Sequence, residues 1–142
     1  MKKRCNSCKR LLHVSEFWKH GTREDGLQAS CKGCLGKANK LVRTRKRQAV
    51  FKYLQEHPCV DCGEDDPVFL ELDHVRGEKS RTVAALVSDS VSLKTVLAEI
   101  KKCDVRCVKC YRRKTILHSG QLPWMEGFEL PEAILKQLQE TG

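Results

Sequence analysis

Eight of the nine cysteines in this 142-residue chain fall into four Cys-x-x-Cys pairs, at positions 5/8, 31/34, 59/62 and 107/110. A two-residue gap lets one tight turn present both sulfurs to a single ion, and two such knuckles complete a tetrahedral four-thiolate site. Chain order groups Cys5, Cys8, Cys31 and Cys34 as one set and Cys59, Cys62, Cys107 and Cys110 as the other, which predicts two structural Zn2+ ions. A disulfide framework suits the pattern less well, because the count is odd and the start, Met-Lys-Lys-Arg-Cys, has no apolar secretory stretch. No later run is apolar and long enough for a membrane span, so the expected setting is intracellular and cytoplasmic, without a membrane partner. Cys103 stands outside the pairs and reads as a buried, unliganded thiol.

Aromatic residues at 6% and charged residues at 32% make a thin basis for an apolar core, so metal staples are expected to supply part of the stability. The net charge of +9 is uneven. Residues 1–57 hold 15 Lys and Arg against 4 Asp and Glu, while residues 58–142 hold 12 against 14. A basic N-terminal part of this density is drawn to a phosphate backbone by counterion release, and solvated surface charge is the plainer alternative.

Residues 1–35 read as a zinc module in which Leu11, Leu12, Val14, Phe17 and Trp18 cover the metal. Residues 36–57 contain no proline and place Leu41, Ala49, Val50, Tyr53 and Leu54 at helical intervals, which predicts a basic connecting helix ending before Pro58. Its Arg43, Arg45, Lys46 and Arg47 are candidate phosphate contacts. Val68–Leu72 alternates like a strand leading into Asp73-His74, and Ser92 caps a helix with apolar residues at 93, 96, 97 and 100. A second helical segment runs from Tyr111 to His118 and closes at Gly120. The acidic tail, 121–142, carries Trp124, Met125 and Phe128, expected to dock on the preceding domain, and a short helix near Pro131. The fold class expected is α+β, built of small zinc-stabilised domains.

Four thiolates leave a zinc ion no open position, so both zincs should brace the fold and any catalysis must lie elsewhere. The residues that stand out are Leu72-Asp73-His74-Val75, delivered by the expected strand to where the Cys107–Cys110 knuckle returns. Cys59-Val-Asp-Cys62-Gly63, then Leu70 to Gly77 with Lys79, then Glu99-Ile100 to Cys103, then Cys107-Val-Lys-Cys110 with Arg112, Arg113, Lys114 and Thr115, together resemble the HNH endonuclease family, in the branch braced by a four-cysteine zinc. The resemblance covers roughly residues 50–118. Residues 1–35 resemble the small zinc modules that precede HNH domains in some phage and bacterial proteins.

The resemblance implies a ββα-metal (His-Me finger) core over residues 58–120 and hydrolysis of DNA phosphodiester bonds with one catalytic divalent cation, Mg2+ or Mn2+. His74 matches the general base, Asp73 a ligand of the catalytic ion, and Arg76, Lys79, Arg112, Arg113 and Lys114 are candidate phosphate contacts. Two departures stand out. Tyr111 occupies the place after the fourth zinc cysteine where the family has an asparagine or histidine ligand, and residues 75–106 contain no asparagine to supply the motif's middle letter. The alternative is a catalytically inactive, zinc-braced DNA-binding protein on the same scaffold. Duplex DNA is the expected partner, with pairing into a homodimer left open.

Overall fold

The computed structural model describes residues 1–121, 127 and 129–140. The chain is a small mixed α/β protein with two two-stranded antiparallel sheets, and it divides into two compact units, Met1–Arg45 and Lys46–Gly142. The expected docking of Trp124, Met125 and Phe128 lies outside the described residues.

In the first unit, β1 (Lys2–Arg4) pairs with β2 (Leu11–His13), Lys3 opposite Leu12, with the first cysteine knuckle forming the turn between them. Cys5, Phe17 and Cys31 form its core, with Leu12, Leu27 and Cys34 packed against them. Only part of the expected apolar cover is used: Phe17 is 4% exposed, whereas Leu11 and Trp18 are 64% and 59% exposed. Strand periodicity explains the loss of Leu11, since Leu12 takes the inward position and its neighbour must point outward. Phe17 is itself extended, so Trp18 turns away from the cysteine cluster, and Lys32 Nζ lies 4.5 Å from its ring centroid.

Helix α1 (Lys32–Glu56) begins four residues before the expected start, within the second knuckle, and stops ahead of Pro58. Its single buried residue is not apolar. Lys46 is 1% exposed and donates to the backbone carbonyls of Leu86, at 3.4 Å, and Asp89, at 2.7 Å, at the C-terminal end of α2 (Val83–Ser88). Carbonyls left over at a helix C-terminus suit a cation, which is what makes a buried lysine tolerable.

The second unit is organised around β3 (Leu70–His74) and β4 (Cys103–Cys107), paired Leu70 to Cys107, Leu72 to Val105 and His74 to Cys103. The expected strand starts two residues late, because Pro67–Phe69 makes a turn of 3-10 helix capped by the Asp66 side chain. In β4 the buried residues alternate as Cys103, Val105 and Cys107, the period of a half-buried strand. Val108–Ser119 then forms α4, ended by Gly120 at φ 68°, where a residue without Cβ is unstrained. Helix α3 (Leu93–Ile100) starts at the Ser92 cap, whose Oγ accepts from Thr95 N. Two apolar clusters make the core. One joins Leu70 and Val105 to Cys59, Cys107 and Cys110, the other joins Leu86 and Val87 to Val96 and Ile100, and both rest on Tyr53 and Leu72. Helix α5 (Glu132–Glu140) is the short helix expected in the tail and lies beside α4.

Candidate functional site

The two cysteine sets come together as their order requires, with the four sulfurs of each set within 4.8 Å of one another. Cys5 Sγ is 3.9 Å from Cys34 Sγ, and Cys62 Sγ is 3.6 Å from Cys107 Sγ. Tetrahedral zinc with bonds of about 2.3 Å separates its sulfurs by about 3.8 Å, so donor chemistry and spacing both fit a structural zinc ion. The sites share a construction. In each first knuckle the amide of the residue after the second cysteine donates back to the first cysteine's carbonyl at 2.9 Å, through Lys9 at φ 62° in one and Gly63 at φ 77° in the other. Each second knuckle lies at a helix N-terminus, with Cys31 just before α1 and Cys107 capping α4.

Backbone amides tune the thiols. The amides of Cys31 and Cys8 beside Cys5 pull its thiol down to about 6. Burial pushes Cys59 up, but amides of Cys107, Cys62 and Asp61 outweigh it and bring the thiol to about 6. Cys34 is pushed up to about 12 by sharing a hydrogen bond with Cys31, and by burial. In each cluster, then, backbone amides favour the thiolate form of the first cysteine, the form that ligates zinc. Cys103 is buried outside both sets, and burial raises its thiol, as a reduced core cysteine requires.

A cleft of about 300 Å³ lies at the end of β3 and β4, lined by Leu72, Asp73, His74, Lys79, Arg81, Thr82, Val83, Glu99, Cys103 and Tyr111. Here Asp73 and His74, adjacent in sequence, take different surroundings. The period of the strand sets them on opposite faces, with His74 level with Cys103 and Asp73 level with Asp104. Asp73 Oδ2 accepts from Arg106 Nη1 at 2.6 Å and from Lys114 Nζ at 2.5 Å. His74 instead turns to α3, where its Nε2 lies 3.7 Å from Glu99 Oε1. Both of those atoms are buried and, among the described residues, have no hydrogen-bond partner, and Arg113 Nε is a third such atom.

Arg106 ties the sheet to the second cysteine cluster. Its side chain, 12% exposed, reaches Asp73, Asp61 between Cys59 and Cys62, and Asp104 at 3.4 Å. Burial lowers its pKa, but the Asp61 carboxylate and its neighbours more than compensate, so it stays charged. Glu99 is held by Ser80 Oγ at 3.0 Å and Lys102 Nζ at 2.9 Å, both on Oε2, and the lysine keeps its carboxyl below the ordinary range despite burial.

The other expected contacts divide. Arg43, Arg45, Arg47, Lys79 and Arg112 are exposed, whereas Arg76 is bound to Asp104 and to the Cys103 carbonyl. Lys46 is a correction: its ammonium is consumed inside the fold and is not open to a phosphate. Tyr111, in the first turn of α4, is 40% exposed. Sequence reading assigned no role to Glu99 or Arg106. Glu99 did leave a trace, as an acid three residues after Val96 on the apolar face of α3. Arg106 left none, since the carboxylates it hydrogen-bonds, Asp73 and Asp61, lie 33 and 45 positions away.

Among the described residues the two cysteine sets are the groups of three or more His, Cys, Asp or Glu side chains close enough to share a metal ion. Among those residues, no helix is long and apolar enough to cross a membrane. No protein-family model, curated protein or solved structure matches the chain.

Proposed function

We propose that the second unit is an HNH-type nuclease domain of ββα-metal architecture that hydrolyses DNA phosphodiester bonds, with His74 as general base. The observation that carries this reading is the half-buried His74 at the end of β3, lining a polar cleft with Lys79, Arg81 and Tyr111 and flanked by α4. An imidazole is suited to take the proton of an attacking water near neutral pH. Lysine and arginine at the rim offset charge building on the phosphate. The exposed arginines of α1 add sequence-independent attraction to a duplex.

The divalent cation expected of this class is Mg2+ or Mn2+, and the residues present do not fit it as they stand. Asp73 Oδ2 is taken by Arg106 and Lys114, and Tyr111 brings a neutral phenol to the position of the second ligand. No catalytic step is therefore assigned to such an ion. The test is plasmid cleavage by zinc-loaded protein with Mg2+ or Mn2+: cleavage that His74→Ala abolishes supports the nuclease, and no cleavage with any divalent ion overturns it.

The same two features favour a second reading, a DNA-binding protein on a disabled HNH scaffold. It expects salt-sensitive duplex retardation that survives His74→Ala, and cleavage that emerges only in Tyr111→His or Tyr111→Asn.

A further inference from the structure

We infer that Glu99 is the positioning residue of His74: its free carboxylate oxygen accepts a hydrogen bond from Nε2–H, fixing the tautomer that turns Nδ1 to the cleft as the proton acceptor. This deepens the nuclease reading and rests on His74 being its base.

Three observations meet here. First, Nε2 of His74 and Oε1 of Glu99 are both buried and, among the described residues, both without a hydrogen-bond partner, and they face one another at 3.7 Å. Buried polar atoms rarely go unpaired, and each of these is the other's nearest remedy. A gap somewhat longer than a hydrogen bond is usual for catalytic contacts before substrate binds and tightens them. Second, Glu99 is anchored through its other oxygen alone, by Ser80 and Lys102, which leaves Oε1 aimed inward from α3. With its side chain 4% exposed and Lys102 beside it, the carboxyl stays ionised and acceptor-only. Third, Glu99 reaches His74 from a separate element: it lies on helix α3, and its backbone carbonyl accepts from the thiol of Cys103, the residue opposite His74 in the β3–β4 ladder.

In the step served, the water oxygen bonds to phosphorus and its proton passes to Nδ1. The bond to the leaving sugar oxygen breaks, and that oxygen takes a proton from solvent. Glu99 accepts no proton. It faces the imidazolium as it forms, the role of a carboxylate that orients a catalytic histidine.

The tautomer is measurable without any turnover. In long-range nitrogen–proton NMR spectra of the full-length, zinc-loaded protein, with His74 assigned by its loss in His74→Ala, the neutral ring should carry its proton on Nε2. In Glu99→Gln the carboxamide oxygen should keep Ser80 and Lys102, turning its NH2 toward His74 and moving the ring proton to Nδ1. Ser80→Ala, which keeps the carboxylate, should retain the Nε2 tautomer, and serves if the glutamine variant does not fold. A wild-type ring protonated on Nδ1, or a tautomer indifferent to Glu99→Gln in a folded protein, overturns the inference.

In cleavage assays Glu99→Gln should lower kcat by about a hundredfold with KM little changed, and Glu99→Asp should recover part of the loss. A folded Glu99→Gln protein with unchanged kcat overturns the role in catalysis. Wild-type protein that never cleaves defeats the nuclease reading instead, while the spectra still decide the pairing.

Discussion

The two units are built on the same device and differ in what they hang from it. Each has a knuckle closed by a left-handed residue and a second knuckle at a helix N-terminus. Between its knuckles the first unit has residues 9–30, which hold little more than β2 and one buried aromatic, Phe17. The second has residues 63–106, twice the length, holding two strands, two helices and a cleft with a buried His–Glu pair. A closed four-thiolate site is a brace, and the inserted segment decides whether the braced module acquires chemistry.

The largest test of that comparison is to remove the braces separately. Cys59→Ser should release one zinc and unfold the second unit, because a structural zinc site contributes on the order of 10 kcal/mol. Cys5→Ser should release the other zinc and leave the amide spectrum of the second unit intact. If either substitution collapses both units, as read by metal analysis and amide spectra, they are not independent modules.

Next, His74→Ala should slow cleavage by about 10²–10⁴-fold. His13→Ala, on the exposed outer face of β2, should leave the rate unchanged. Equal effects would erase the functional contrast.

Within the first unit, Phe17→Ala should lose about 3 kcal/mol in denaturant titrations. Trp18→Ala should stay within about 0.5 kcal/mol, as exposed positions do. A large loss at Trp18 would mean that the small core extends beyond Phe17.

Lys46→Met should destabilise the second unit by about 1–3 kcal/mol, since the carbonyls of Leu86 and Asp89 lose their donor. It should leave duplex affinity nearly unchanged, whereas Arg45→Ala should reduce the salt slope of binding by about one.

The smallest effect is acid sensitivity particular to the second unit. Glu99 has its folded pKa below the unfolded value of about 4.3, so its contribution is complete above that pH and is lost as pH falls through the folded value. Protonation of zinc thiolates weakens both units on acidification, but the part due to Glu99 should vanish in Glu99→Gln. Identical acid unfolding curves for the second unit in the two proteins would refute it.

Much of the frame was legible in the chain. The cysteine pairing, the helix before Pro58, the Ser92 cap and the close at Gly120 all depend on residues a few positions apart, or on a donor set with one sensible partner. The late start of β3 was missed because Asp66 caps a turn that the alternation of Val68 to Leu72 conceals. Leu11 and Trp18 were misplaced because each neighbours the residue that takes the inward position, Leu12 on β2 and the extended Phe17, so the backbone turns them outward.

Sequence alone therefore determined the two four-cysteine clusters and the arrival of Asp73-His74 near the second, since spacing and local propensity travel with the chain. Only the tertiary structure decided that Lys46 is internal, that Asp73 belongs to Arg106 and Lys114, and that His74 faces Glu99. Strand pleating sends adjacent residues to opposite faces, and the partners waiting on each face come from segments 25 to 41 positions away. No local pattern encodes which of them will be met.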